Sequence, residues 1–173
     1  MTSYVALLRG VNLVGKSSLK MSDLKRIADD LGLQSARTYI ASGNLLFLSD
    51  WPEEAVRRAL ERDLQAHMSK DVGVVVRTAA EMASVVKANP FTDRAANQVQ
   101  AFFLNESPPS NLLETVRNKA DDEHIAIGSR EVFVAYGERG IGKSRLKIPS
   151  AEAGTARNMN TVAKLAELAR ETS

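Results

Sequence analysis

Short apolar runs alternate along this chain with stripes at helical spacing, and their order constrains the fold more than any other feature. Tyr4 to Leu8 reads as a buried strand. A glycine-punctuated loop, Gly10 to Ser18, follows it. Leu24, Ile27, Ala28 and Leu31 then predict a helix, with Ser22 as its N-cap and Gly32 as its stop. Thr38-Tyr39-Ile40 and Leu45 to Leu48 flank the turn residues Ala41-Ser42-Gly43-Asn44, which predicts an antiparallel strand pair. Pro52 opens a helix striped by Val56, Leu60 and Leu64, and Val72 to Val76 is a β-branched strand. Residues 1–78 therefore read β-α-β-β-α-β, the ferredoxin-like order.

The remainder repeats most of that order. Thr78-Ala79-Ala80-Glu81 fits a capping box before Met82, Val85 and Val86, and Asn89-Pro90 ends that helix. Val99 to Leu104 reads as a strand, and Pro108-Pro109 as the start of a helix carrying Leu112, Leu113 and Val116. Ile125 to Ile127 and Val132 to Val134 flank Gly128-Ser129 as a hairpin, and Val162, Leu165 and Leu168 line a last helix. The expected fold is α+β: two ferredoxin-like lobes with antiparallel or mixed sheets, residues 1–78 and 79–173, packed as one unit. In this reading the second lobe lacks its final strand.

Composition removes several function classes. Without cysteine there is no thiol catalysis and no cysteine-ligated zinc, and the chain suits a reducing, cytoplasmic setting. No apolar run approaches the roughly 18–20 residues of a membrane helix, and Met1 to Arg9 lacks the basic leader of a signal peptide. The only histidines, His67 and His124, form no metal-binding pair, and Asp121-Asp122-Glu123 lacks the alternation of a calcium loop, so neither a metal nor a cofactor is expected. No G-x-S-x-G elbow occurs. Phe102, Phe103 and Phe133 read as core rather than as a platform for RNA bases.

Net charge is only +2, but it is segregated. Residues 1–26 carry five basic side chains against one acid, and residues 139–173 carry seven against three. Within these basic ends lie two matches to the P-loop pattern, Gly10 to Ser17 and Gly137 to Ser144. A P-loop needs a helix beginning at its Lys-Ser step and a parallel sheet beneath it. Pro149 follows the second copy too closely, and a hairpin follows the first, so both read instead as basic, glycine-rich loops able to form anion-binding nests.

The opening Tyr4 to Asn12 with Gly15-Lys16, the run Met21 to Leu24, the segment Arg37 to Asn44 and the closing Thr155 to Val162 together resemble the domain of unknown function 1697 family. The resemblance implies a ferredoxin-like α+β protein of bacterial type and carries no agreed activity. Members commonly place an aromatic where this chain has Met159 and lack Ser17.

The expected function is binding of a phosphorylated or nucleotide-like anion by converging loops. Arg9, Lys16, Lys143 and Arg157 would supply charge, and Gly15 and Gly43 close backbone approach. Ser42, Ser144, Asn12, Asn44, Asn158 and Asn160 would supply oriented polar groups. One alternative is an acylphosphatase-like hydrolase using Arg9 and Asn44. Others are an RNA- or DNA-binding protein, which the low net charge and the lack of an aromatic cluster argue against, and a protein-interaction module. No membrane partner is expected, and oligomeric state is not legible.

Overall fold

Tyr4, Ala6 and Leu8 alternate on β1 (Thr2–Leu8), and that period-2 pattern aims one face of the strand at the helices. The computed structural model describes residues 1–13 and 18–172. From β1 the chain runs through α1 (Met21–Asp30), β2 (Gln34–Thr38), β3 (Asn44–Ser49), α2 (Glu53–Met68) and β4 (Val74–Thr78). The sheet order is β2-β3-β1-β4 and every pairing is antiparallel. Leu24, Ile27 and Ala28 of α1 and Val56, Leu60 and Leu64 of α2 close over Tyr4, Ala6, Leu8 and Phe47. Phe47 is fully buried and stacks on Tyr4, its cross-strand partner, at 5.6 Å between ring centroids. Burial of a side chain that size contributes about 1.5–3 kcal/mol.

Helix ends follow local chemistry. Gly32, at φ +82°, ends α1 in a Schellman motif: its N–H donates to Asp29 O and the Leu33 N–H to Ala28 O, each at 3.0 Å. At the other end, Lys20 rather than Ser22 holds the N-cap position of α1. The capping box at Thr78 forms in both directions, Thr78 N–H to Glu81 Oε1 at 2.8 Å and Glu81 N–H to Thr78 Oγ1 at 3.1 Å. It launches α3 (Ala79–Ala88) directly from β4.

The second sheet holds β5 (Val99–Phe103), β6 (His124–Ile127), β7 (Glu131–Ala135) and β8 (Thr155–Asn158). Its order, β6-β7-β5-β8, repeats that of the first sheet, again fully antiparallel. Two expectations are corrected here. The final strand is present: β8 pairs with β5 from Gln100↔Asn158 to Phe103↔Thr155. The helix expected from Pro108-Pro109 is only a 3-10 turn, Leu112–Thr115. Its continuation is diverted because Arg117 and Lys147 exchange both backbone hydrogen bonds at 2.9 Å. The second crossover likewise keeps only a short α4 (Gly140–Lys143) and a 3-10 turn, Pro149–Ala151, before β8 and α5 (Met159–Glu171).

The chain forms two compact units. One spans Met1–Ala83 and is joined by the last residues from Lys164; the other spans Ser84–Ala163. The returning end of α5 is tied to the first unit by Ser3 Oγ donating to Ala169 O at 2.7 Å and Arg37 donating to Leu168 O at 3.0 Å. Among the described residues no helix is long and apolar enough to cross a membrane.

In the second unit Tyr136 is 6% exposed and its hydroxyl donates to Gln100 Oε1 at 2.9 Å. Burial, with the Glu123 charge adding to it, pushes the phenol up to about 12. The unfolded chain ionises this group near 10, so its contribution is intact below pH 10 and is lost as pH rises toward 12. Urea unfolding of the wild type and Tyr136→Phe at pH 9 and pH 11.5 should show the wild type losing about 2 kcal/mol relative to the variant. A constant gap would mean that the phenol ionises normally.

Candidate functional site

Three segments of the first unit meet at one end of its sheet. β1 ends at Leu8, whose N–H donates to Gly43 O, and the Arg9 N–H donates to Gly73 O, both at 2.9 Å. The loop after β1, the β2–β3 turn and the entry to β4 are thereby fastened together. Gly10, at φ +69°, and Asn12, at φ +55°, then turn the chain back on itself.

Asn12 acts as a clamp. Its Nδ2 donates to Leu19 O and Ala41 O, each at 2.8 Å, and its Oδ1 accepts from the Leu19 N–H at 2.7 Å. The β2–β3 turn is held in the same manner. Asn44 is fully buried, and its Nδ2 donates to Tyr39 O at 2.8 Å and Ser42 Oγ at 3.0 Å. Gly43 sits at φ +92°, where a Cβ would fall 2.8 Å from Val11 Cγ2 and 2.9 Å from Leu8 Cβ. Only glycine fits that turn.

Arg9 stands at the rim of this frame, exposed, with its stem along Gly73. Its guanidinium has no hydrogen-bond partner among the described residues. A Cβ at Gly10 would meet nothing within 4 Å, so the backbone there is open to approach. Leu13 and Ile40 are exposed in the two clamped segments, at 56% and 49%. Gly15 and Lys16 lie outside the described residues. Thus the structure brings Arg9, Asn12, Ser42, Gly43 and Asn44 together, with the asparagines' amide groups engaged within the fold. Gly73 is the member that the sequence did not single out. Its signal is a glycine just ahead of the β-branched run of β4.

The remaining candidates lie in the second unit. Lys143 is the last residue of α4 and Ser144 is extended at φ −67°, ψ 140°, so no helix starts at this Lys-Ser step. The Ser144 hydroxyl donates to the Glu123 carboxylate instead. Arg157 is buried in β8, with Nη1 donating to Thr155 Oγ1 at 2.8 Å and Ala156 O at 2.9 Å. Desolvation lowers its guanidinium to about 10. Asn158 caps α5, its Oδ1 accepting from the Thr161 N–H at 3.0 Å, and Asn160 is exposed in the first turn. Among the described residues no cluster of histidine, aspartate and glutamate suits a metal ion.

A family model described as "Protein of unknown function (DUF1697)" matches residues 1–133, from β1 into β7. The solved structure of the conserved bacterial protein SP0830 from Streptococcus pneumoniae superposes with a TM-score of 0.80 at 23% sequence identity, covering 97% of this chain and 98% of that one. At that identity the likeness shows the shared fold. No curated protein matches the chain.

Proposed function

The chain belongs to the DUF1697 family of proteins of unknown function, and within it we propose that the loop end of the first unit binds a small phosphorylated or nucleotide-like anion. The observation that supports this most directly is Arg9: an exposed guanidinium, unused by the fold among the described residues, on a backbone fastened at Gly43 and Gly73. A planar fork held on a fixed base suits bidentate recognition of phosphate or carboxylate. Gly10 leaves room for the anion to approach the main chain, and Lys16, close in sequence, adds charge. Asn12, Gly43 and Asn44 serve the reading as its frame, and Ser42 as the acceptor that completes it. Lys143 and Asn160, both exposed, lie in the second unit and are not part of this site. The cysteine-free chain fits a cytoplasmic setting for such a molecule.

The hydrolase alternative needs the Asn44 amide to place a water, yet both its hydrogens are donated inside the turn. Binding without turnover is therefore the favoured form.

The test is a thermal-shift titration with inorganic phosphate, nucleotides and sugar phosphates, with and without magnesium. A ligand at 100 times its dissociation constant stabilises by about 2.7 kcal/mol. Arg9→Ala should weaken the hit about 10- to 100-fold, the worth of a charged hydrogen bond, and leave the unliganded midpoint in place. An unchanged affinity in this variant, or no shift with any anion, would sink the proposal.

A further inference from the structure

A groove of about 590 Å³ in the second unit runs along the outer edge of its sheet. β6 pairs with β7 alone and so forms that edge. The lining straddles the strand. His124 and Ala126 project to the side of their partners Ala135 and Phe133, and Phe91 lies against the His124 ring at 6.4 Å between centroids. Ile125 projects to the other side, where with Val116 it packs on the cluster that holds Val132 and Val134. Leu113, at 55% exposure, extends that wall, and Ile127 continues the edge at 43%.

The backbone groups that β6 does not use in pairing with β7 point to its open edge. The Gly128 N–H donates to Glu131 O at 2.8 Å and closes the hairpin. Antiparallel pairing alternates from there, so Ala126 and His124 bond to β7 while Ile125 and Ile127 turn their N–H and C=O groups outward. An apolar small molecule filling the groove would cover those groups without pairing them, which is costly. A chain in extended conformation would pair them and also fill both walls with alternate side chains. A four-residue edge spans only about 13 Å, too short for strand pairing alone to bury the roughly 1,200 Å² or more of a stable dimer. Lys119 and His124 are the titratable side chains that line the groove, so its charge complement is a carboxylate.

We propose that β6 is a docking strand for an extended peptide segment of a partner protein, which joins the sheet as a fifth strand. Its apolar residues alternate between the Phe91 and Leu113 walls, and a carboxylate at one end meets Lys119 and His124. The proposal stands independently of the Arg9 site.

The test uses the full chain and a library of N-acetylated hexapeptides with valine or leucine fixed at alternate positions, read by fluorescence anisotropy. The tightest members should carry aspartate at one end. N-methylation of one alternating set of peptide amides should weaken binding at least tenfold, and of the other set hardly at all. The Ile125 and Ile127 amides should exchange at least tenfold more slowly in the complex. Leu113→Asp, at an exposed position, should weaken binding at least tenfold, and Arg9→Ala should leave it unchanged. No binding, equal loss from both N-methyl sets, or unslowed exchange at Ile125 and Ile127 would overturn the proposal. Equal affinity for N-acetylvaline would overturn it in favour of a small-molecule pocket. A concentration-dependent dimer abolished by Leu113→Asp would overturn it in favour of self-association.

Discussion

Gly43→Ala should destabilise the protein by about 3 kcal/mol, against about 1 kcal/mol for Gly32→Ala. Both glycines occupy the left-handed region, at φ +92° and +82°. An alanine there costs roughly 1–2 kcal/mol in backbone strain. The positions differ in what a new Cβ meets. At Gly32 there is nothing within 4 Å, whereas at Gly43 the atom would lie 2.8 Å from Val11 Cγ2 and 2.9 Å from Leu8 Cβ. Leu8 Cβ is fixed to the strand and cannot swing aside. Because the Gly43 carbonyl also accepts the Leu8 N–H, a shift of the turn away from β1 would break the bond that fastens the loop end. Overpacking of this kind adds about 1–3 kcal/mol. Urea unfolding of both variants measures the difference. Equal losses would mean that the turn does not approach β1 as closely as the geometry requires. If the Arg9 site binds an anion, Gly43→Ala should also weaken that binding, since it displaces the base on which Arg9 stands.

Most of the first unit was legible because its residues satisfy the rules of both levels at once, although β2 lies at Gln34–Thr38 and the expected strand residue Ile40 turns at φ +51°. Tyr4 to Leu8 is apolar, β1 is central in its sheet, and residues on both its faces are buried. Thr78 and Glu81 announced a capping box, and both of its bonds form. The second unit hid more. Thr155-Ala156-Arg157-Asn158 has no apolar alternation, yet Thr155 and Arg157 are the buried residues of β8. A strand that buries an arginine, by satisfying it with hydrogen bonds, leaves no periodic signal in sequence. The stripe Leu112, Leu113 and Val116 misled for the opposite reason: Leu112 is buried, but Leu113 is largely exposed. Its spacing looked helical, while the backbone pairing of Arg117 with Lys147, which ends the turn, depends on residues thirty positions apart.

The candidate site was legible as a set of residue types and not as a division of labour. Gly10, Asn12 and the Ser42-Gly43-Asn44 turn stand out as loop chemistry. Nothing in a single sequence shows that the Asn12 amide reaches Leu19 and Ala41, or that Asn44 turns inward. The apolar groove at β6 was missed altogether. Its walls come from Phe91, Leu113 and His124, scattered over more than thirty positions, and only the sheet order makes them neighbours.

Asn44→Ala is expected to cost about 2–4 kcal/mol of stability and to leave anion affinity within about threefold of wild type at temperatures where the variant is folded. The side chain is fully buried and donates to Tyr39 O and Ser42 Oγ. Truncation leaves the half-buried Tyr39 carbonyl and Ser42 hydroxyl without that donor, and each lost partner costs roughly 1–3 kcal/mol. The Tyr39 N–H donates to Asn44 O at 3.0 Å, a backbone bond that the variant retains, so the turn should survive in weakened form. Chemical denaturation and a phosphate titration on the same sample separate two roles for this residue. A large stability loss with affinity preserved makes Asn44 part of the frame. A small stability loss with acyl-phosphate turnover abolished would make it a catalytic residue and restore the hydrolase reading. The hydrogen-bond count favours the first outcome. A fully buried amide that has donated both its hydrogens inside the protein has no donor left with which to hold a water in place for attack.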